Sequence, residues 1–235
     1  MTNITLEKHN GVIVLRDDLL PGGTKSILMD KILDDAYDEY VYASPVYGAF
    51  QIALSIWCKN NNKKATIFCA KRNELHPNTI KCMRYNANVV EVEAGYLTVV
   101  NKRAEDYCKI NKALKLDFGA KTELSRNIIA DRMREIINII GHEPKEIWVP
   151  IGSGTLVESI LMATEKSKII GVQVGAEYIN NNKRLFIIKY DKPFDKPSKY
   201  NSPFPSIKNY DLKAWEMCMK YKKTDDVFFW NVYQI

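Results

Sequence analysis

Short apolar runs alternate along the chain with longer stretches in which apolar residues return every three or four positions. Val12-Ile13-Val14-Leu15, Tyr40-Val41-Tyr42-Ala43, Ala65-Thr66-Ile67-Phe68-Cys69 and Asn88-Val89-Val90-Glu91-Val92 are rich in β-branched and aromatic residues and predict strands. So do Glu146-Ile147-Trp148-Val149-Pro150, Lys168-Ile169-Ile170-Gly171-Val172-Gln173, Leu185-Phe186-Ile187-Ile188 and Val227-Phe228-Phe229-Trp230. Helical spacing predicts helices over 26–37, where Ile27, Leu28, Ile32 and Leu33 share a face, and over 46–57, 75–85, 97–111, 123–140, 156–165 and 211–221. Gly141 is a C-terminal stop for the longest of these. The stretch 191–205 holds four prolines and predicts an irregular loop. Strands that alternate with helices in this way predict an α/β fold with mostly parallel sheets flanked by helices. The three β-α units between Tyr40 and Asn111 make one lobe, and Leu116-Asp117-Phe118-Gly119 returns the chain to the other.

Composition narrows the function classes. A chain of 235 residues, 46% of them hydrophobic, can bury a substantial core. The opening Met1-Thr2-Asn3-Ile4-Thr5-Leu6-Glu7-Lys8 has no apolar run of signal-peptide type, and no apolar stretch reaches membrane-spanning length, so a cytoplasmic protein without membrane contact is expected. Five cysteines without C-x-x-C spacing suggest reduced thiols rather than disulfides or zinc. His9, His76 and His142 are dispersed, and Asp34-Asp35 and Asp225-Asp226 are most simply solvated, so no metal is expected. The net charge of +6 suits an anionic ligand or a nucleic acid, yet the lysines are scattered without interleaved aromatics and are most simply solvated.

Three segments could carry chemistry. Gly22-Gly23-Thr24-Lys25-Ser26 places a lysine at a strand-to-helix turn, where burial and the positive end of a helix favour a neutral, nucleophilic amine; alone it reads as a surface lysine beside a tight turn. Gly152-Ser153-Gly154-Thr155 joins a strand to a helix, so its N–H groups and hydroxyls could hold an anion. It is neither a Walker A loop, which needs a lysine after the last glycine, nor a G-x-G-x-x-G fingerprint, because position 157 is Val. Ser44-Pro45-Val46-Tyr47-Gly48-Ala49 leads into a further helix that could receive a carboxylate, or is an ordinary start capped by Ser44 with Pro45 in the first turn.

In order and spacing, these segments resemble the fold type II family of pyridoxal 5'-phosphate (PLP) enzymes. They are most similar to its branch of 1-aminocyclopropane-1-carboxylate deaminase and D-cysteine desulfhydrase. Arg16-Asp17-Asp18-Leu19 followed by Gly22-Gly23-Thr24-Lys25-Ser26 looks like the family's strand end, glycine and Schiff-base lysine. Ser44-Pro45-Val46-Tyr47-Gly48 stands in the place of its substrate loop, and Gly152-Ser153-Gly154-Thr155 in that of its phosphate loop. Asn209-Tyr210-Asp211-Leu212-Lys213-Ala214 is similar to its late tyrosine-x-x-lysine helix, and Phe228-Phe229-Trp230-Asn231 to its last strand.

The resemblance implies a two-lobed architecture with a large PLP-binding domain, 1–37 and 119–235, and a small substrate-side domain, 38–118. It implies a lyase or deaminase acting at the α or β position of a small amino-acid substrate through a Lys25 aldimine. Gly152, Ser153, Gly154 and Thr155 would hold the phosphate, Ser44, Val46, Tyr47 and Gly48 the substrate, and Tyr210 would assist proton transfer. Asn231 would face the pyridine nitrogen, where a neutral partner favours elimination. A homodimer is expected, as is usual in the family. The chain departs from the pattern where Val46 replaces the asparagine that contacts the cofactor's ring hydroxyl, and where a segment between Gln173 and Tyr210 is shortened. Those departures motivate two alternatives: a PLP-fold binding or regulatory protein without turnover, and a PLP enzyme acting on an amino acid attached to a nucleotide or nucleic acid.

Overall fold

A computed structural model describes residues 3–34, 36–93 and 96–234. Asp35, which falls within the expected helix 26–37 and within one of the two acidic pairs, lies outside them. By its internal contacts the chain divides into two compact units, residues 1–20 with 121–234, and residues 21–120.

The first unit holds a six-stranded sheet. Its strands are β1 (Leu6–His9), β2 (Val12–Arg16), β7 (Glu146–Ile151), β8 (Lys168–Gln173), β9 (Leu185–Lys189) and β10 (Val227–Asn231), in the order β1-β2-β10-β7-β8-β9. All neighbours are parallel except β1 and β2. β7, β8 and β10 are buried on both faces, as the near-continuous apolar runs of parallel strands require. Helix α7 (Asp211–Tyr221) lays Leu212, Ala214, Trp215 and Cys218 on a core with Val12, Val14, Trp148, Ile170, Val172 and Phe229. Helices α5 (Glu123–Ile140) and α6 (Thr155–Ala163) pack on each other, with Ile129, Met133 and Ile136 of α5 buried. Gly141 ends α5 at φ 87°, a left-handed position that glycine adopts without steric cost.

The second unit holds a four-stranded parallel sheet of β3 (Glu39–Ala43), β4 (Lys64–Ala70), β5 (Asn88–Val92) and β6 (Leu114–Leu116), in the order β5-β4-β3-β6. It is flanked by α1 (Ser26–Ile32), α2 (Phe50–Asn60), α3 (Pro77–Arg84) and α4 (Leu97–Asn111).

Helices α3 and α6 lie within two residues of their expected bounds, and α1 and α2 depart further. The helix expected to reach residue 37 ends at Ile32, because the Tyr40 hydroxyl binds the backbone of Asp34, accepting from its N–H at 3.2 Å and donating to its carbonyl. The helix expected from Val46 begins at Phe50. Gly48 N–H closes a turn on Pro45 O at 2.7 Å, and the Gln51 amide takes the carbonyls of Val46 at 2.8 Å and Gly48 at 2.9 Å. Ser44 is therefore not the helix cap that an ordinary start would make it.

Candidate active site

In a parallel sheet, ligands favour the carboxyl ends of strands where the strand order reverses. Each unit has one such point. In the second unit it lies between β3, which continues to β4 and β5, and β6 on the other side. In the first it lies between β7, which continues to β8 and β9, and β10.

Lys25 sits at the reversal in the second unit. Gly22 and Gly23 adopt φ 94° and 70°, and a Cβ at Gly22 would stand 2.7 Å from the Ala53 backbone, so the turn before the lysine admits only glycine there. The half-buried Lys25 donates from Nζ to Gly119 O at 2.9 Å, just past the end of β6. Gly119, at φ 70°, is held in turn by its N–H on the Tyr42 hydroxyl of β3 at 3.3 Å. Desolvation brings the Lys25 amine down from 10.5 to about 8, so the neutral nucleophile is accessible near neutral pH. Tyr42, raised by its own burial, stays a neutral phenol whose oxygen accepts the Gly119 N–H.

The loop after β3 lies in the same unit. Ser44 is buried, its N–H on Phe68 O at 2.8 Å and its hydroxyl on Pro45 O at 3.1 Å. The Val46 side chain is buried, and its carbonyl receives both Gln51 and Asn78, the latter at 3.2 Å. Tyr47 stacks edge-on against His76 at 4.8 Å, with the Arg72 guanidinium 5.1 Å from its ring. The Gly48 N–H is consumed by Pro45 O, which leaves it out of carboxylate binding in this geometry.

The glycine loop occupies the reversal in the first unit. Gly154 stands at φ 88° as the N-cap of α6, with no side chain capping the helix, so the first-turn amides face the loop. The Ser153 and Thr155 hydroxyls lie 3.0 Å apart. Two tyrosines close over the glycines. A Cβ at Gly154 would be 2.2 Å from the Tyr178 ring, and one at Gly152 would be 2.9 Å from the Tyr210 hydroxyl. Tyr210 is hydrogen-bonded by the Gly152 backbone, and burial holds its pKa well above the usual range. Tyr178 reaches Glu158 through its hydroxyl at 3.1 Å and is pushed up to about 12, chiefly by burial.

Asn231, buried at the end of β10, has both ends of its amide engaged: Oδ1 accepts from Ser206 at 3.0 Å and Nδ2 donates to Pro205 O at 2.9 Å. Beside it stands Asp211. It is fully buried, accepts the Val232 N–H on Oδ1 at 2.9 Å, and leaves Oδ2 buried without a hydrogen-bond partner. Burial raises its carboxyl well above the ordinary range. The one sequence signal that could have flagged it is an acid in the first turn of a helix that begins beside Tyr210. The strand-end acids Asp17 and Asp18 are pins instead: Arg16 forks onto Asp18 at 2.8 and 2.9 Å, and Asp17 receives Arg132 and the Trp230 indole N–H at 3.0 Å.

The structure thus brings Lys25, Ser44, Val46, Tyr47 and Gly48 into one unit and Gly152, Ser153, Gly154, Thr155, Tyr210 and Asn231 into the other. No protein-family model and no curated protein matches the sequence. Solved structures do match in shape. An ACC deaminase homologue superposes with a TM-score of 0.81 over 94% of this chain and 84% of its own, at 15% identity. The fold is that of the fold type II PLP enzymes. A hydrogen sulfide-producing enzyme from Fusobacterium nucleatum gives a TM-score of 0.72 over 99% of this chain and 95% of its own, at 14% identity. An O-acetyl serine sulfhydrylase isoform from Entamoeba histolytica gives 0.69 over 99% and 85%, at 12% identity. Among the described residues no helix is long and apolar enough to cross a membrane, and no group of three or more His, Cys, Asp or Glu side chains is placed to hold a metal.

The residues fit PLP in part. A lysine whose amine is brought down to about 8 and an uncapped glycine loop suit its carbonyl and phosphate. Val46 offers no polar side chain to the ring hydroxyl, and the Asn231 amide is already committed within the fold. Asp211 Oδ2, buried without a hydrogen-bond partner, is a polar atom left over at that strand end.

Proposed function

We propose that the protein is a PLP-dependent enzyme of lyase or deaminase type that acts at the α or β position of an amino acid. The observation that carries this reading is Lys25, a desolvated amine at about 8 behind an all-glycine turn, in a fold whose solved neighbours include a deaminase homologue and a sulfhydrylase. When bound, the cofactor supplies an electron sink for bond cleavage next to the amino group. Lys25 would attach it through the neutral amine and afterwards carry the proton at the substrate α carbon. The amides and hydroxyls of Gly152, Ser153, Gly154 and Thr155 would bind its phosphate. Ser44, once its hydroxyl turns from Pro45 O, would orient the substrate carboxylate, and Tyr210, neutral and tied to Gly152, would donate or relay a proton. In place of Asn231, Asp211 would hold a proton toward the ring nitrogen from Oδ2.

The test is to incubate the purified protein with PLP, reduce with borohydride and map the adduct by mass spectrometry. The expected result is one modified lysine, Lys25, and none in Lys25→Ala. Labelling elsewhere, or equal labelling of the variant, overturns the assignment. A screen of amino acids for keto-acid or ammonia release then decides turnover. Labelling at Lys25 with no release from any amino acid would mark a binding protein built on an enzyme fold.

A further inference from the structure

Strands β3 and β4 are parallel neighbours, so their carboxyl ends lie side by side, and the loops after them carry three side chains with no part in the steps above. Tyr47 follows β3, Arg72 follows β4, and His76 is the N-cap of α3. The Arg72 guanidinium lies 5.1 Å from the centre of the Tyr47 ring and reaches its hydroxyl only at 3.5 Å. It is exposed and forms no ion pair among the described residues, whereas Arg16, Arg126, Arg132 and Arg134 each meet a carboxylate. His76 packs edge-on against the same ring at 4.8 Å. Its Nδ1 accepts the Asn78 N–H at 3.2 Å, which puts the proton of the neutral ring on Nε2, and Nε2 has no partner among the described residues. A guanidinium laid on an aromatic ring with its fork unspent, beside a second N–H donor, suits an anion.

The strand order sets which anion this is. Lys25 is anchored at Gly119, past β6, and Ser44 stands at the end of β3. In the order β6-β3-β4 each strand lies about 5 Å from the next, so Arg72 sits one strand beyond Ser44 and two beyond the anchor of the lysine. A substrate with its amino group at Lys25 and its α-carboxylate at Ser44 has room to extend its side chain across β3 toward β4. We propose that Arg72, with Tyr47 and His76, receives a negatively charged group at the far end of that side chain, so that the substrate is an amino acid whose side chain ends in a carboxylate or a phosphate. The inference rests on the proposed function and names its substrate class.

Two measurements test it. In the protein without cofactor the His76 ring is followed by NMR, assigned through His76→Gln, with His9 and His142, bonded to Glu7 and Asp226, as internal controls. One enantiomer or the other of glutamate, aspartate or O-phosphoserine should shift the His76 resonances saturably. Glutamine, asparagine, serine and sodium chloride at equal ionic strength should not. Arg72→Met, which keeps the stem of an exposed side chain, should abolish the shift. The protein loaded with PLP is then titrated with the same amino acids and the cofactor absorbance read. The charged member of a pair should bind at least about tenfold more tightly than its neutral counterpart, as one charge-assisted contact provides, and Arg72→Met should remove that difference while leaving the neutral member unchanged. The larger response, to a carboxylate or to phosphoserine, identifies the group. Silence of His76 up to roughly 50 mM, where even very weak recognition registers, overturns the proposal. So does a shift shared with the neutral amino acids or chloride, or a preference that survives Arg72→Met. If PLP does not label Lys25 while His76 still responds, the proposed function fails and the anion receptor stands; labelling at Lys25 with a silent His76 overturns the receptor alone.

Discussion

Replacing Lys25 with methionine should make the protein without cofactor more stable at pH 7. Folding lowers the amine from 10.5 to about 8 by stripping its water, so the folded state is penalised for carrying the charge. Below pH 8 both states are protonated and the penalty is complete, about 3 kcal/mol from the difference between the two values. Lys25 is half-buried rather than sealed, and solvent screening brings this nearer to about 2 kcal/mol. Methionine keeps the stem and removes the charge, but it forfeits the bond to Gly119 O, a loss of about 1 kcal/mol. A net gain of about 1 kcal/mol remains at pH 7. The sign of the pH dependence follows from proton counts. Between about 8 and 10.5 the unfolded chain binds more protons at this site than the folded one, so wild-type stability rises with pH through that window relative to the variant. Urea unfolding of both proteins at pH 7 and pH 10.5, read as the difference between them so that other lysines and tyrosines cancel, measures the effect. The variant should lead at pH 7 and lose its lead by pH 10.5. A difference that is the same at both pH values refutes the desolvated amine.

Two further outcomes rest on the other unit. Gly154→Ala forces a side chain into a left-handed position at φ 88° and drives its Cβ to 2.2 Å from the Tyr178 ring, a combined cost of about 2–5 kcal/mol in urea unfolding; in a Tyr178→Ala background the same substitution should cost only the backbone share of about 1–2 kcal/mol. Relative to wild type, Asp211→Asn should gain stability as pH rises above about 4, because a carboxyl raised by burial gives up its proton on unfolding once the unfolded chain ionises; a stability difference that stays flat with pH would refute the raised carboxyl.

What the sequence discloses and what it hides divide along the range of the interactions. Helices 97–111 and 123–140 have the bounds their periodicity predicts, because eighteen residues of α5 and a left-handed Gly141 are a local statement. Their order with the strands is sufficient to place the chain among fold type II architectures at 15% identity. β1 and β6 went unread: one is a four-residue edge carrying Glu7 and Lys8, the other only three residues long. The early end of α1 and the late start of α2 depend on Tyr40 and Gln51 reaching backbone that the helical pattern alone assigns to the helix itself. The same limit governs the site. Gly22, Gly23 and Lys25 are legible because a tight turn needs those residue types in that order. The acidity of Lys25 is not, since it comes from being enclosed near Gly119, ninety-four positions away. Asp211 is the sharper case. In sequence it is an ordinary first-turn acid, and only its burial beside Val232 and its unpaired Oδ2 single it out. Departures from a family pattern therefore weigh differently according to what they touch. Val46 removes one side-chain contact that a loop supplies locally. With the Asn231 amide committed to Ser206 and Pro205, the proposal passes its expected role to Asp211, a neighbour that reaches the same strand end through the fold.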